Sequence, residues 1–338
     1  MTETLTILSW NVQGERIKNR DHLSRQIDFI ADHVDAPTVV LLQAVNCEDR
    51  DHENWPDRLE FLRGKFSSIG LDHLVHTGDW ARELDQSSVQ PHQDISHNRC
   101  QLTASSLPLK RRKLSINTGY YEHRPLKHFA TVFPEKLLVT RLDLNQAGST
   151  PLPTPLEIWN VGVIYGSGPW GEEKLNLLET IGGRLDVLTS RTDGHFIVGG
   201  DFNAPREERS EADMDYHGEN KPGYTTTSFY GAPLFLETDD GEYEPWTFNQ
   251  RWKRAERRIF SPGVDIGLRD AYWIAEESKR LQSTVDYSHV VPSGSPSKKR
   301  LDHVLVSDNL DVTACTYLQQ ALDAGLSDHA PVVAHIAR

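Results

Sequence analysis

Leu5-Thr6-Ile7-Leu8-Ser9-Trp10-Asn11-Val12-Gln13-Gly14 joins a run of apolar and β-branched residues to a polar turn. Thr6 and Ile7 favour extended backbone and the Asn-to-Gly ending punctuates it, so the stretch reads as a strand that delivers Asn11 to a loop. Working outward, Leu23, Ile27, Ile30 and Val34 recur at helical spacing behind Asn19 and Asp21, which are good helix caps, until Pro37 stops the pattern. The apolar run Val39 to Leu42 follows as a second strand. The same order returns further on, with a strand from Leu156 to Tyr165, a helix from Glu172 to Leu188 presenting Leu177, Ile181 and Leu185, and a strand from His195 to Gly199. Val304 to Val306, Val332 to Ile336 and shorter pieces around Leu102 and Leu138 read as further strands. Alternating strands and helices predict an α/β fold.

No repeat or low-complexity tract divides the chain, and the Pro-rich stretch Thr150 to Pro155 reads as a hairpin loop rather than a linker. The expectation is one domain over residues 1–338, with a loop-rich insertion around 206–263, where periodicity is weak. With 36 Lys and Arg against 49 Asp and Glu, the net charge of −13 repels polyanions, so any nucleic-acid site must be local. No apolar run approaches the ~18 to 20 residues of a membrane-spanning helix, and Met1 to Trp10 lacks the basic start and apolar core of a secretory signal. A cytoplasmic location is expected. Cys47, Cys100 and Cys315 lie far apart, which predicts neither a disulfide framework nor a cysteine zinc site.

Four polar clusters stand at the ends of apolar runs: Trp10-Asn11, Gly200-Asp201-Phe202-Asn203, Arg300-Leu301-Asp302-His303 and Ser327-Asp328-His329. Strand ends in α/β sheets are where distant side chains converge. On one rim they bring together Asn11, Asp201, Asn203, Asp302, Asp328 and His329, and so many acids are costly unless a cation joins them. Oxygen donors select a hard ion, Mg2+ or Mn2+.

The set resembles the endonuclease/exonuclease/phosphatase superfamily of Mg2+-dependent phosphodiesterases. The resemblance rests on Ser-Trp-Asn-Val-Gln-Gly (9–14), Leu-Leu-Gln (41–43), Gly-Asp-Phe-Asn (200–203), Arg-Leu-Asp-His (300–303) and Ser-Asp-His (327–329), in the family's order. It implies a four-layer α/β sandwich, two mixed sheets face to face with helices outside and the site at one open end. It also implies roles. Asn11 lies beside metal and phosphate, Asp328 ligates the metal, and Asp201 orients and deprotonates the attacking water. Asn203 bonds a phosphate oxygen, while His329, held by Asp302, meets the scissile phosphate. Asn160 and Arg300 are expected to support substrate binding. Such a division of labour suits in-line displacement, which needs a base, a positioned water and cationic groups on the phosphate oxygens.

One departure matters most. In the family the Leu-x-Gln motif is followed by Glu, the principal metal ligand, whereas Gln43 is followed by Ala44. The other motifs survive, so the expectation is a variant disabled at this position to trap bound states, ahead of a natural pseudoenzyme. Gly162 stands where relatives carry a His or Tyr facing the phosphate, and Gln13 where abasic-site endonucleases carry an acid. Both argue against an abasic-site specialist.

Taken singly, Asp201 and Asn203 could close a turn, Asp302 could be a surface acid on an edge strand, and His329 a satisfied core histidine; only together do they indicate a site. Trp10 reads as core. Arg251, Lys253, Arg254, Arg257 and Arg258 around Trp252, with Lys110 to Lys113 and Lys298 to Arg300, are local basic patches suited to a phosphate backbone. Trp170, Trp246 and Trp252 are candidates for stacking on bases. The leading expectation is a Mg2+-dependent nuclease on DNA. The alternatives are a phosphodiesterase or phosphatase on small phosphate esters or lipid head groups, and a non-catalytic phosphate or nucleic-acid binder.

Overall fold

The structure, a computed structural model, describes residues 4–14, 20–35, 37–46, 58–78, 99–112, 133–142, 156–166, 171–191, 195–205, 207–210, 213–216, 235–237, 242–245, 247–261, 266–281, 287–291 and 297–337. The opening stretch forms β1 (Thr4–Asn11), α1 (Arg20–Ala31) crosses over, and β2 (Thr38–Val45) returns parallel to β1. Parallel neighbours cannot be joined by a tight turn, so a crossover helix is required, and Leu23, Ile27 and Ile30 are its buried face. The helix ends before Val34, which packs on the same core from outside it. Next come α2 (Arg58–Ser68), β3 (His73–His76), β4 (Cys100–Ser105), β5 (Leu109–Arg111) and β6 (Leu137–Leu142). A second parallel unit follows: β7 (Leu156–Gly162), α3 (Gly171–Arg191) and β8 (His195–Asp201).

The stretch expected to be loop-rich holds two ribbons, β9 (Glu207–Ser210) with β10 (Asp213–Asp215) and β11 (Phe235–Glu237) with β12 (Tyr243–Pro245), and a helix, α4 (Phe248–Phe260). The helix corrects the expectation of weak periodicity: Phe248, Trp252, Ala255 and Ile259 form an apolar stripe buried against α3, interrupted by charged residues that hide it in the sequence. The chain ends with β13 (Leu268–Asp270), α5 (Ala271–Glu277), β14 (His289–Val291), β15 (Ser297–Lys299), β16 (Asp302–Ser307), β17 (Val312–Tyr317), α6 (Gln320–Asp323) and β18 (Val332–Ala337).

Two six-stranded mixed sheets result, ordered β17-β18-β1-β2-β4-β3 and β13-β16-β8-β7-β6-β5. Strand alternation assigns the layers. Leu5, Ile7, Val39 and Leu41 of the first sheet pack on Ile158, Ile197, Val304 and Val306 of the second. Leu8, Trp10, Val40 and Leu42 face the other way, onto Ile27, Ile30, Leu62 and Phe66 of α1 and α2. Trp159, Val161, Phe196 and Val198 likewise face α3 and α4. This is the expected four-layer α/β sandwich. With both faces covered, the central strands are apolar almost throughout. Thr150 to Pro155 lies outside the described residues.

Candidate active site

The site is the polar end of the layer between the sheets. Following each inward-facing stripe to its strand end gives Ile7, Ser9 and Asn11 on β1, Val39, Leu41 and Gln43 on β2, Ile158 and Asn160 on β7, Ile197, Gly199 and Asp201 on β8, and Asp302, Val304 and Val306 on β16. Register places Asp302 opposite Asp201. At Gly199 the sheets come so near that a Cβ would stand 2.5 Å from the Leu41 side chain.

Asp201 is the hub. Its Oδ2 accepts from Asn11 Nδ2 at 2.9 Å and Asn203 Nδ2 at 3.1 Å, and its Oδ1 from the Asn203 backbone N–H at 2.8 Å. Asn203 takes up a left-handed φ of 49°, a conformation Asn tolerates, and this folds its amide back onto Asp201. His329 Nδ1 donates to Asp302 Oδ2 at 2.6 Å, and Asp201, Asp302 and His329 each bring a ligand-type atom within 4.8 Å of the other two. Burial and the neighbouring Asp302 charge hold the Asp201 carboxyl above its ordinary range, against the pull of His329 and its two asparagine partners. Burial works against a charged His329, yet the carboxylates of Asp302, Asp201 and Asp328 push the ring up to about 10. His329 is therefore a fixed cation at neutral pH.

The support around this group is extensive. Trp10, buried as expected, donates its indole N–H to the His329 carbonyl at 2.8 Å, and Ser327 Oγ donates to the Asn11 carbonyl at 2.7 Å. Asn160 is fully buried; it accepts from Gln43 Nε2 at 2.9 Å and donates to the carbonyls of Leu42 and Leu102, so it fixes the floor of the site. Arg300 corrects an expectation. Instead of facing a substrate, its buried guanidinium pairs with Asp270 at 3.2 Å and lies over the rings of Tyr272 and Trp273. Asp302 is fully buried and no surface acid. Trp252 is also fully buried, which removes it from base stacking, and Arg251 is held by Glu179 at 2.6 and 2.7 Å. Trp170, Trp246 and Lys113 lie outside the described residues.

Position 44 lies where the β2–β4 register shifts, and Ala44 adopts a left-handed φ of 55°. Gly14 packs on this bulge; a Cβ there would approach the Ala44 carbonyl oxygen to 2.6 Å. At Gly162 a Cβ would stand 2.7 Å from the Gln101 amide, so Gln101 occupies the space beside that strand end.

Several supporting residues carry no readable sequence signal. Ser288 Oγ accepts from the backbone N–H groups of Leu301 and Asp302, setting the start of β16. Lys174 Nζ donates to the Asn203 carbonyl behind the Asp201 loop, where His303, already marked by the 300–303 motif, bridges Asp270 and the Ala204 carbonyl. His289, half-buried, stacks on His329 with ring centroids 4.6 Å apart. Each matters through partners distant in sequence, and no local pattern marks them.

Two face-to-face mixed sheets with an acid, amide and imidazole cluster at one end define the layered hydrolases that act on phosphodiester bonds. Residues 8–329 match the Endonuclease/Exonuclease/phosphatase family, and the chain belongs to it. Among solved structures, an endonuclease/exonuclease/phosphatase family protein from Leptotrichia buccalis C-1013-b is 14% identical with a TM-score of 0.54, covering 99% of this chain and 100% of that one. A humanized D. rerio TDP2 carrying 14 mutations is 12% identical with a TM-score of 0.53, covering 99% of each chain. D. rerio TDP2 complexed with a single-strand DNA product gives the same identity, 12%, and TM-score, 0.53. These likenesses extend to the fold. No curated protein sequence matches the chain.

Proposed function

We propose that this chain is a nuclease-like phosphodiesterase that acts on DNA with Mg2+ or Mn2+, in a form disabled at position 44. The observation that carries the reading is the hydrogen-bonded convergence of Asn11, Asn203, Asp302 and His329 around Asp201. Asp201, oriented by two amides and with its carboxyl pushed upward, accepts the proton of an attacking water. Asn203, whose amide N–H groups go to the Val163 carbonyl and to Asp201, orients this base and gives an N–H to a phosphate oxygen only in exchange for one of these bonds. His329, kept charged by the carboxylates around it, meets the negative charge that grows on the phosphate. The DNA-product complex of D. rerio TDP2, a protein of the same fold, favours DNA over small esters.

The donors do not complete an oxygen cage for a hard ion. Position 44 offers a methyl group, and the Asn11 carboxamide already accepts from the Gln13 N–H at 3.1 Å while donating to Asp201. No step is therefore routed through Mg2+ in the chain as it stands. In the Ala44→Glu variant a bound divalent ion would neutralise phosphate charge and steady the leaving oxygen. The left-handed backbone at Ala44 supports a functional past for the position, since such strain persists mainly where a site uses it. Among the described residues no helix is long and apolar enough to cross a membrane, and the proposed location is the cytoplasm.

The experiment compares the present chain with Ala44→Glu on single-stranded, duplex and abasic DNA, RNA and small phosphate esters, with Mg2+ or Mn2+. The variant is expected to hydrolyse DNA at least about a hundredfold faster than the parent, with activity falling as salt rises. Turnover of small esters alone moves the substrate to that class. A folded variant that binds metal without hydrolysing anything leaves a phosphate binder.

A further inference from the structure

Consecutive residues of a strand face opposite sides of its sheet, and at the start of β16 both of them join an imidazole to a carboxylate. Asp302, on the inner side, accepts from His329 Nδ1. His303, on the outer side, meets Asp270 Oδ2 with Nδ1 at 2.7 Å and the Ala204 carbonyl with Nε2 at 2.8 Å. A carbonyl oxygen can only accept, so Nε2 carries a proton. Asp270 is an ionised acceptor as well: burial works against its charge, yet Arg300 at 3.2 Å and His303 hold its carboxyl below the ordinary range. Nδ1 must then donate too, and a ring that donates from both nitrogens is an imidazolium. Water does not share this charge, because His303 is 0% exposed, with Phe202 and Phe260 packed beside the ring at 5.8 and 4.9 Å between centroids. A neutral ring would turn a bare lone pair on either the carboxylate or the carbonyl and leave a buried acceptor without its partner.

The grip matters because of where Ala204 lies. It follows Asn203, whose backbone N–H and side-chain amide orient the two oxygens of Asp201. On the other side of Asn203, the Phe202 N–H donates to the Leu301 carbonyl at 2.9 Å. The turn is therefore fastened to the head of β16 twice, through Leu301 at Phe202 and through His303 at Ala204, and the left-handed Asn203 stands between the two fastenings. Without the second one, the backbone that aims the Asn203 amide at Asp201 is held by Lys174 alone on that side.

We infer that His303 is a buried imidazolium at neutral pH and, through its two N–H bonds, the residue that positions the Asp201–Asn203 turn. Its charge and its grip stand apart from any reaction; that the turn carries the base for an attacking water rests on the proposed function. The full chain, labelled with 15N in histidine and asparagine, is read by NMR at pH 7.5. His303 is expected to show two protonated ring nitrogens, where an ordinary histidine of pKa ~6.5 is largely neutral, and an Nε2–H slow to exchange. His303→Asn offers a donor only near the Nδ1 position and should displace the Asn203 side-chain amide signals. His303→Gln brings its N–H to the Nε2 position and should leave them near those of the parent, and the Asn160 amide, held by Gln43, Leu42 and Leu102, should stay in place in both. In the Ala44→Glu background, His303→Asn is expected to lower kcat on DNA about ten- to a hundredfold with KM little changed, and His303→Gln to restore most of it. A ring neutral at pH 7.5, an Nε2–H in fast exchange, Asn203 signals unmoved in His303→Asn or moved alike in both variants, or an unchanged kcat overturns the inference. Should His303→Asn not fold, the parent's ring nitrogens and its Nε2–H decide. Loss of all hydrolysis in Ala44→Glu itself removes the proposed function and leaves this inference to the spectra.

Discussion

Glu135 shows how strongly one position can be governed by burial. It sits in a 3-10 turn (Pro134–Lys136) at 1% exposure, and burial raises its carboxyl to about 7, with Lys136 and Arg99 pulling the other way. The native state therefore binds the Glu135 proton more tightly than the unfolded chain, so stability falls as pH rises from about 4.5 through about 7 and levels off above. Glu135→Gln removes this dependence. Urea midpoints at pH 4.5 and 8 should show the variant gaining on the parent at the higher pH by up to roughly 3 kcal/mol; parallel profiles would count against it. Ala44 is governed differently: its left-handed backbone is legible only in the structure, whereas the absence of a carboxylate was legible in the sequence.

Helix α4 illustrates what an element can do for a distant site. Arg251 ties it to Glu179 of α3, Trp252 fills the space against Lys174, and Lys174 in turn holds the Asn203 carbonyl. Trp252 also donates to Glu256 at 2.9 Å, so the helix closes a buried polar relay behind the Asp201 loop. Trp252→Ala should cost about 3–5 kcal/mol through the cavity it leaves, measured by chemical denaturation, while Lys253→Ala on the exposed side should stay within about 0.5 kcal/mol. Similar losses for the two would mean that the helix is not packed as described. The basic character that suggested a nucleic-acid face therefore belongs partly to structural ion pairs.

Across the whole molecule, a net charge of −13 surrounds a rim where three acids, Asp201, Asp302 and Asp328, lie near strand ends with His329 as their counter-charge, while Asp270 is paired with Arg300 in the interior. An ion that completes this balance binds the native state and not the unfolded chain, so it raises the melting temperature by mass action. Mg2+ or Mn2+ at a hundredfold excess over Kd adds about 2.7 kcal/mol, and Ala44→Glu should show a rise of a few degrees that the parent lacks. Equal shifts measured by scanning calorimetry would remove position 44 from metal binding.

The amino-acid order by itself determined the two strand-helix-strand units and offered Asn11, Asp201, Asn203, Asp302, Asp328 and His329 as candidate site residues, because helical spacing, apolar runs and motif order are local and need no folding to be read. It also exposed Ala44 as the odd residue among intact motifs. Only the tertiary structure decided that Arg300 and Trp252 serve the interior, that α4 exists within the presumed insertion, and that His289, Gln101, Ser288 and Lys174 flank the site. These assignments depend on which strands become neighbours and at what register, and that is settled by burying both faces of two sheets at once, a long-range condition that no short stretch of sequence contains.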